Sequence, residues 1–441
     1  MSSIQFAVKS VPALRNALID NSTTYTYGDL YDLKDKNQEV IAFLSGQNVV
    51  INGRSRIEFA LLLFLLDGSA SSILFLPTDI DSSLHEKYYD EANICYEVYL
   101  QDGVLKYNTI QKRVNTDPFY VTEWIIPTSG TTSVPKLVSH TFDSLTRTTK
   151  TDVGKGESFR WGLVFDIYRF SGIQVYLQSM LSGSTLIITD ASQSMSDMLS
   201  LLANNHCNAL SATPSYWRKV LMTKESDMLD FERITLGGEI ADNNILQALK
   251  QKYPKAKIVH IYASTEVGVG FSVSDGKEGF PVSYLSGMLE NIEMKIDDNG
   301  LLWIAPPDKN QKYLSGTPMY DSNGYINTGD LVRVVDERVV FLGRDSGAIN
   351  VGGNKVQPEE VESVIMNSGI ATAAHVYAMK NSMMGSLVCA DVVLQGSIDK
   401  KEAKKILLSY CRDHLEGFKV PAIVKFVDTM ETTLSGKLKR K

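Results

Sequence analysis

The segment from Pro127 to Lys136, PTSGTTSVPK, has the residue types of a phosphate-binding loop. Small residues and hydroxyl side chains allow consecutive backbone N–H groups to curve around phosphate oxygens, and Lys136 adds a positive charge. A polar loop in any α/β protein has a similar composition, so this segment alone leaves a purely structural role open. It is not a Walker loop, because GxxxxGK[ST] is absent from the sequence. The candidate phosphate ligands are Thr128, Ser129, Gly130, Thr131, Thr132 and Lys136.

Four later segments contain further carboxylates and basic residues. They are IYASTEVG from Ile261, NTGDL from Asn327, GRDSGAINVGGNKVQPEEVE from Gly343 and LSGKLKRK from Leu434. Together with the phosphate loop, they resemble the ordered signatures of the adenylate-forming (AMP-binding) enzymes, which include acyl- and aryl-CoA synthetases, peptide-synthetase adenylation domains and luciferases. Five signatures in the same order are far more specific than any one of them. Within this family the chain most resembles a compact acyl-CoA synthetase or acyl-AMP ligase.

The resemblance implies a role for each polar residue. Thr265 would hydrogen-bond the α-phosphate, and Glu266 would bind Mg²⁺, a hard cation that prefers oxygen ligands. Asp330 would accept both ribose hydroxyls, and Lys437 would reach the α-phosphate and the substrate carboxylate. Without the family, Glu266 is equally a surface helix cap, NTGD is a turn and Lys437 belongs to a solvated basic tail. Arg344 would lie near the ribose and phosphate, and the residues bordering the adenine would be Gly237, Gly238, Glu239 and Tyr262.

The implied reaction has two halves. A carboxylate attacks the α-phosphorus of ATP and expels pyrophosphate, which leaves an acyl-adenylate. The thiol of coenzyme A or of carrier-protein phosphopantetheine then displaces AMP, after a small domain has rotated about a hinge at Ser346. The resemblance thus implies ATP, Mg²⁺ and coenzyme A or phosphopantetheine as cofactors. The partners would be a small-molecule carboxylic acid and, in one alternative, an acyl carrier protein.

The candidate acyl pocket is the segment from Gly162 to Ile188, with Phe165, Tyr168, Phe170 and Gly172 as substrate-pocket residues. An Asp in this region marks α-amino acid substrates in peptide-synthetase domains. Asp166 is out of register for that role, because the family's usual offset from the following L-x-G falls on Phe170. An ammonium group would lack its expected counter-ion. We therefore expect a non-amino carboxylic acid, aromatic or medium aliphatic.

Four other functions make different predictions. An amino-acid adenylation enzyme would prefer α-amino acids. A catalytically silent nucleotide-binding regulator would have little reason to retain both Glu266 and Lys437. A luciferase-like oxidase would consume oxygen and emit light. A phosphotransferase would release ADP rather than AMP.

The elements that must position these residues alternate between short apolar runs and helix-like segments, which indicates an α/β fold. Strands are predicted at Gln47–Ile51, Ser72–Leu76, Glu123–Ile126, Thr185–Thr189, Ile234–Leu236 and Ile258–Ile261, with a helix over Arg56–Leu66 and another directly after the phosphate loop. Beyond Gly300 the pattern is hairpin-like. The predicted architecture is a large N-terminal domain (1–343) of layered α/β subdomains with a β-rich portion, a hinge (344–346), and a small mobile α+β lid domain (347–441) that carries Lys437.

Composition excludes several classes of protein. The 441 residues carry 44 Lys plus Arg against 51 Asp plus Glu, and the net charge of −7 argues against nucleic acid as a partner. The scattered cysteines fit a reducing cytoplasm. The apolar stretch from Ala60 to Pro77 contains Asp67 and predicts a buried helix and strand rather than a membrane span, which needs about twenty apolar residues. Nothing in the composition indicates an oligomeric state.

Overall fold

The structure is a computed structural model that describes residues 3–52, 55–111, 121–128, 134–287, 289, 292–307, 309–381, 385–396 and 398–430. Five of the predicted site residues lie outside these ranges. They are Ser129, Gly130, Thr131 and Thr132 in the middle of the phosphate loop, and Lys437 near the end of the chain.

Helices and strands are interleaved along the chain until about residue 260. The helices are α1 Ile4–Ala7, α2 Tyr27–Lys36, α3 Gln38–Phe43, α4 Arg56–Leu66, α5 His85–Glu91, α6 Phe142–Thr146, α7 Val153–Gly156, α8 Phe170–Leu181, α9 Met195–Asn204, α10 Pro214–Met222, α11 Asn243–Lys252, α12 Pro358–Asn367 and α13 Lys400–His414. The strands up to residue 273 are β1 Asn16–Ile19, β2 Thr24–Thr26, β3 Asn48–Asn52, β4 Ser72–Leu76, β5 Tyr96–Gln101, β6 Val104–Thr109, β7 Glu123–Pro127, β8 Leu137–His140, β9 Arg160–Leu163, β10 Thr185–Ile188, β11 Ala209–Ala212, β12 Arg233–Gly237, β13 Lys257–Ser264 and β14 Gly268–Val273. The later strands are β15 Phe280–Pro281, β16 Glu293–Ile296, β17 Leu301–Ala305, β18 Lys312–Tyr313, β19 Ile326–Val335, β20 Arg338–Arg344, β21 Ile349–Val351, β22 Asn354–Val356, β23 Ala371–Asn381, β24 Gly385–Leu394 and β25 Ile423–Phe426.

Two large mixed sheets form most of the N-terminal region. The first has the order β14-β13-β12-β11-β9-β10-β1-β2, and its strands are parallel except at the two edges. The second has the order β18-β8-β7-β4-β3-β5-β6, with a parallel centre formed by β7, β4, β3 and β5. Residues that follow the parallel strands therefore lie together at the C-terminal ends of the strands in each sheet. Open α/β sheets bind ligands at this end.

Two smaller sheets follow in the chain. The antiparallel sheet β15-β20-β19-β17-β16 corresponds to the predicted β-rich portion. The sheet β22-β21-β24-β23, with β25 parallel to β24, belongs to the C-terminal region, and α12 and α13 share a separate apolar core with it. The predicted α/β class, with a large N-terminal part and a small α+β C-terminal part, is confirmed.

Helix α4 lies at the centre of the largest apolar core. Its residues from Phe59 to Leu66 are all buried, and the surrounding cluster takes side chains from both large sheets, among them Leu18 and Phe75. A helix that is apolar on every side is stable only when it is buried. The predicted helix and following strand are thus confirmed, with α4 and β4 at the predicted bounds. Among the helices of the described ranges, none combines the length and the hydropathy that a membrane span requires.

One local prediction is wrong. The sequence predicts a helix directly after the phosphate loop, but Leu137–His140 forms strand β8, which pairs antiparallel with β7. The chain therefore reverses direction at the loop, and helix α6 begins only at Phe142. This hairpin brings the two ends of the loop together.

Asp67 is a buried carboxylate at the end of α4. Its oxygens accept hydrogen bonds from the backbone N–H of Ile4 at 2.7 Å and from the Trp124 indole N–H at 2.9 Å. Burial nevertheless raises the pKa of Asp67 to about 6, because the charged form loses its hydration.

This raised pKa predicts a pH-dependent stability. Between the pKa of an unfolded Asp, about 3.9, and about 6, the folded protein binds the extra proton, so the free energy of unfolding falls as the pH rises. Asp67→Asn removes this titration. Relative to wild type, its stability should rise by about 2 kcal/mol between pH 4 and pH 7, measured by urea unfolding. Asp143→Asn, at an exposed position in α6, serves as the control, and an Asp67→Asn difference that stays flat with pH would contradict the assignment.

Candidate active site

Three neighbouring parallel strands end at the same edge of the first sheet. Strand β11 is followed by Thr213, β12 by Gly238 and Glu239, and the longer β13 by Thr265 and Glu266. The pairing of β12 with β13 runs through Gly237 and Ile261, so these two segments are adjacent at the edge. The predicted phosphate and adenine residues on these strands are therefore brought together.

Thr265 and Glu266 lie in the tight connection between β13 and β14. Ser264 pairs with Gly268 across this connection, and the Ser264 hydroxyl accepts the backbone N–H of Val267 at 3.1 Å. Gly268 has φ +74°, a left-handed conformation that suits glycine. The alternative assignment of Glu266 as a helix cap is wrong, because the segment is a strand-to-strand turn.

A second cluster joins Tyr262, Asp330 and Arg344. The Tyr262 hydroxyl donates to Asp330 Oδ2 at 2.6 Å, and Arg344 Nε lies 2.9 Å from Asp330 Oδ1. Asp330 and Arg344 are register partners on β19 and β20, whereas Tyr262 comes from the first sheet. A carboxylate has about four lone-pair sites, so two remain for other donors such as ribose hydroxyls.

The ring of Tyr262 is fixed by aromatic neighbours. It stacks on Phe271 at 5.2 Å and on Phe341 at 5.4 Å between ring centroids, with nearly parallel planes. Burial, followed by the negative charge of Asp330, raises the pKa of Tyr262 well above its usual value, so the hydroxyl remains a donor. The family resemblance implies that Tyr262 lies beside the adenine. The structure gives it a further contact, to the proposed ribose carboxylate.

The phosphate loop is closed at its base by Thr128 and Lys136. The backbone N–H of Thr128 donates to the Lys136 carbonyl at 2.8 Å, and the N–H of Lys136 donates to Thr128 Oγ1 at 3.0 Å. Arg169 donates to the Thr128 carbonyl at 3.2 Å and pairs with Asp79 at 2.6 Å. The loop is therefore attached to the N-terminal end of α8, a contact that the sequence pattern does not predict.

Tyr313 is another contact residue that the sequence analysis misses. Its hydroxyl donates to Glu266 Oε1 at 3.3 Å, and the Lys136 ammonium lies 4.4 Å from its ring centroid. The residue lies outside the recognised motifs, and its place in the site depends on the pairing of the two-residue strand β18 with β8. A distant strand pairing of this kind has no local sequence signal.

Glu239 has a structural contact as well as its predicted place near the adenine. Its Oε2 accepts the backbone N–H of Ser215 at 2.9 Å, in the first turn of α10. A carboxylate at a helix N-terminus is favoured by the helix dipole. Gly238, which precedes it, has φ +80° and turns the chain between β12 and Glu239.

The four predicted substrate-pocket residues lie at the carboxyl end of β9 and the start of α8. Phe165, Tyr168 and Phe170 are at most 6% exposed and belong to the core around α4. A Cβ on Gly172 would approach the Asp166 carbonyl oxygen to 2.2 Å, so only glycine permits this close packing. Their role as pocket residues remains a prediction, and in the structure they make packing contacts.

Asp166 is buried beside two arginines. Its Oδ1 accepts the backbone N–H of Tyr168 at 3.1 Å, and its Oδ2 lies 3.9 Å from Arg169 Nε. Burial raises the pKa of Asp166, while Arg169 and Arg56 favour its charged form. The Asp166 carboxylate therefore interacts electrostatically with arginine side chains of the protein itself.

The residues present fit a magnesium ion held together with a nucleotide. Within the described ranges no group of three or more His, Cys, Asp and Glu residues is arranged to hold a metal ion. Mg²⁺ at nucleotide sites takes one or two carboxylates, and substrate phosphates and water complete its shell. Glu266 is half-buried beside the phosphate loop. Its single carboxylate is enough for a magnesium ion of this kind.

Comparisons with known proteins identify the family. Residues 62–309 match the AMP-binding enzyme family, and residues 360–437 match the AMP-binding enzyme C-terminal domain. The chain is 24% identical to 2-succinylbenzoate--CoA ligase of Bacillus subtilis (strain 168), over 97% of this chain and 94% of the relative.

Solved structures share the fold. One is o-succinylbenzoate CoA synthetase from Bacillus subtilis in complex with its acyl-adenylate intermediate, with 19% identity, a TM-score of 0.73 and coverage of 99% of this chain and 97% of the other. Another is an anthranilate CoA ligase in complex with anthranoyl-AMP, with 16% identity, a TM-score of 0.79 and coverage of 99% and 95%.

The chain belongs to the AMP-binding enzyme family, since one family model covers more than half of its length and a second covers the C-terminal region. It is an AMP-forming acid–thiol ligase of the acyl-CoA synthetase kind.

Proposed function

We propose that this enzyme activates a non-amino carboxylic acid, aromatic or medium aliphatic, as an acyl-adenylate and transfers the acyl group to the thiol of coenzyme A. The observation that supports this most is the assembly of three features at one place. These are the Tyr262, Asp330 and Arg344 cluster, the carboxylate of Glu266 and the closed base of the phosphate loop.

In the first half-reaction the protein holds ATP in line with the substrate carboxylate. Asp330 accepts the ribose hydroxyls, and the Thr265 hydroxyl donates to the α-phosphate. Lys136 neutralises charge on the departing phosphates, and Lys437 contacts both the α-phosphate and the attacking carboxylate. Mg²⁺, when bound at Glu266, neutralises further phosphate charge. Positioning and charge neutralisation supply most of the catalysis in phosphoryl and nucleotidyl transfer.

In the second half-reaction the C-terminal domain rotates about the segment 344–346, which separates the domains 1–343 and 347–441. Ser346 lies in a short 3₁₀ turn, Asp345–Gly347, directly after β20. Gly343, the preceding glycine, has φ +133°, and a Cβ there would lie 2.3 Å from Glu359 Oε2. Glycine adopts this backbone conformation without the strain that a side chain would cause. Its position beside a short turn supports a hinge at this point.

The acid is proposed to lack an α-ammonium group because Asp166 lies 3.9 Å from Arg169 Nε and because the charge of Arg56 also favours its ionised form. An ammonium would have to compete with two guanidinium groups for this buried carboxylate. The names of the relatives add support, since they are ligases for 2-succinylbenzoate and anthranilate. These names also favour coenzyme A over a carrier protein as the thiol.

The test is carboxylate-dependent exchange of labelled pyrophosphate into ATP across a library of acids. Aromatic acids, including those with a second carboxylate, and medium aliphatic acids should support faster exchange than any α-amino acid. Addition of coenzyme A should then release AMP and give a thioester, identified by mass spectrometry.

The same assay separates the alternatives. Fastest exchange with an α-amino acid would favour an amino-acid adenylation enzyme and would contradict the argument from Asp166. ATP binding without exchange for any acid would favour a nucleotide-binding regulator. ADP and phosphate as products would indicate a phosphotransferase, and acid-dependent light emission would indicate a luciferase-like oxidase.

A further inference from the structure

Tyr313 contacts two elements of the nucleotide site that are far apart in sequence. Its hydroxyl donates to Glu266, the proposed metal ligand, at 3.3 Å. Its ring lies beneath the ammonium of Lys136, at 4.4 Å from the ring centroid. One side chain therefore joins the end of the phosphate loop to the β13–β14 turn.

The backbone around Tyr313 determines its direction. Tyr313 pairs with Val138 and Lys312 with Ser139, and the N–H of Leu314 donates to the Leu137 carbonyl at 3.0 Å. Neighbouring residues of a strand point to opposite faces. Lys312 points to the face where it pairs with Glu123 at 3.4 Å, so Tyr313 points to the other face, toward the site.

We propose that Tyr313 is a positioning residue of the nucleotide site, whose hydroxyl orients Glu266 toward the metal and whose ring holds Lys136 at the phosphates. This inference rests on the proposed function. A carboxylate that accepts one hydrogen bond keeps its other lone pairs for a metal, and the bond restricts its rotation. An aromatic face attracts an ammonium without neutralising it, so Lys136 remains available to phosphate oxygens.

The two contacts of Tyr313 can be tested separately, because the contact with Lys136 needs only the ring whereas the contact with Glu266 needs the hydroxyl. Tyr313→Phe removes the hydroxyl and keeps the ring, whereas Tyr313→Leu removes both. Calorimetric titration with ATP in excess Mg²⁺, and separately with ATP in EDTA, measures binding without any acid or turnover.

Tyr313→Phe should weaken the binding of Mg·ATP by about tenfold, the lower end of the usual effect of removing a partner of a metal ligand. It should leave the binding of ATP in EDTA within about twofold of wild type, because Lys136 keeps its aromatic partner. Tyr313→Leu should weaken both. Mg·ATP binding by Tyr313→Phe equal to wild type would overturn the role of the hydroxyl, as would an equal loss in EDTA.

The chain contains a matched control at Tyr325. Its hydroxyl donates to Glu293 at 2.9 Å, and the Lys295 ammonium lies 4.0 Å from its ring centroid. It thus makes the same pair of contacts outside the site. Tyr325→Phe should bind ATP like wild type under both conditions. A loss of affinity in this variant equal to that of Tyr313→Phe would show that the effect is not specific to the site.

A double variant separates orientation of Glu266 from general damage to the fold. Glu266→Gln should weaken Mg·ATP binding, and adding Tyr313→Phe to it should cause little further loss, since both act through the same carboxylate. Losses that multiply would overturn the coupling. Wild-type protein that binds no ATP would overturn the proposed function itself, whereas wild-type binding with an unaffected Tyr313→Phe variant would overturn this inference alone.

Discussion

Replacement of Lys437 by alanine is expected to lower the rate of adenylate formation by about 10²- to 10³-fold, the usual effect of removing one group that stabilises developing charge. Lys437 lies outside the described residues, and its assignment rests on the LSGKLKRK motif and on the C-terminal domain match that ends at residue 437. An ammonium group that contacts both the α-phosphate and the attacking carboxylate acts only while these two are reacting. The measurement is pyrophosphate exchange with a saturating acid.

The same variant should still convert a supplied acyl-adenylate to thioester, because the proposed rotation has by then removed Lys437 from the site. Lys439→Ala is the matched control, since it removes the same charge two residues further along. Equal loss of both half-reactions in Lys437→Ala would contradict the proposal that adenylate formation and thioester formation use different domain orientations.

Proline at position 346 is expected to impair one half-reaction by about 100-fold or more and to leave the other within a few-fold of wild type. Proline fixes φ near −65° and also restricts Asp345, so one of the two domain orientations is lost. A misplaced reacting group loses about this much rate. Pyrophosphate exchange and thioester formation from preformed acyl-adenylate are measured separately.

Ser346→Ala provides the comparison, because it removes the hydroxyl group and does not impose the backbone restriction of proline. Thermal stability should be similar in both variants, as the position lies between two separately packed cores. Wild-type rates for both half-reactions in Ser346→Pro would place the hinge elsewhere in the segment from Arg344 to Asn350.

Local sequence patterns are sufficient to predict a helix or a strand where an apolar run and a capping or turn signal occur together. The helix over Arg56–Leu66 has a Ser N-cap and an uninterrupted apolar run, and the strand at Ser72–Leu76 follows a glycine turn, so both were predicted at their observed bounds. The four residues Leu137–His140 have no such support. A four-residue segment with only two apolar residues fits a strand or the start of a helix, and its pairing with β7 decides the outcome.

Site residues could be predicted from the sequence where they belong to a recognised motif. Tyr262, Asp330 and Arg344 were each assigned to the nucleotide, and the structure brings them into contact. Tyr313 and Arg169 were missed because their contacts come from strand pairing and from the approach of α8 to the loop. The aromatic residues Phe165, Tyr168 and Phe170 show the limit of composition, since a pocket wall and a core have the same residue types.

The cluster around Asp330 has a consequence for folding as well as for binding. Tyr262 belongs to the eight-stranded sheet, whereas Asp330 and Arg344 belong to the antiparallel sheet. A nucleotide bound across this junction binds only when the two sheets are docked, so it stabilises their association in proportion to RT ln(1 + [L]/Kd). The cellular concentration of ATP would thus control how often this junction opens, and amide hydrogen exchange in β13 and β19 would slow together as nucleotide is added.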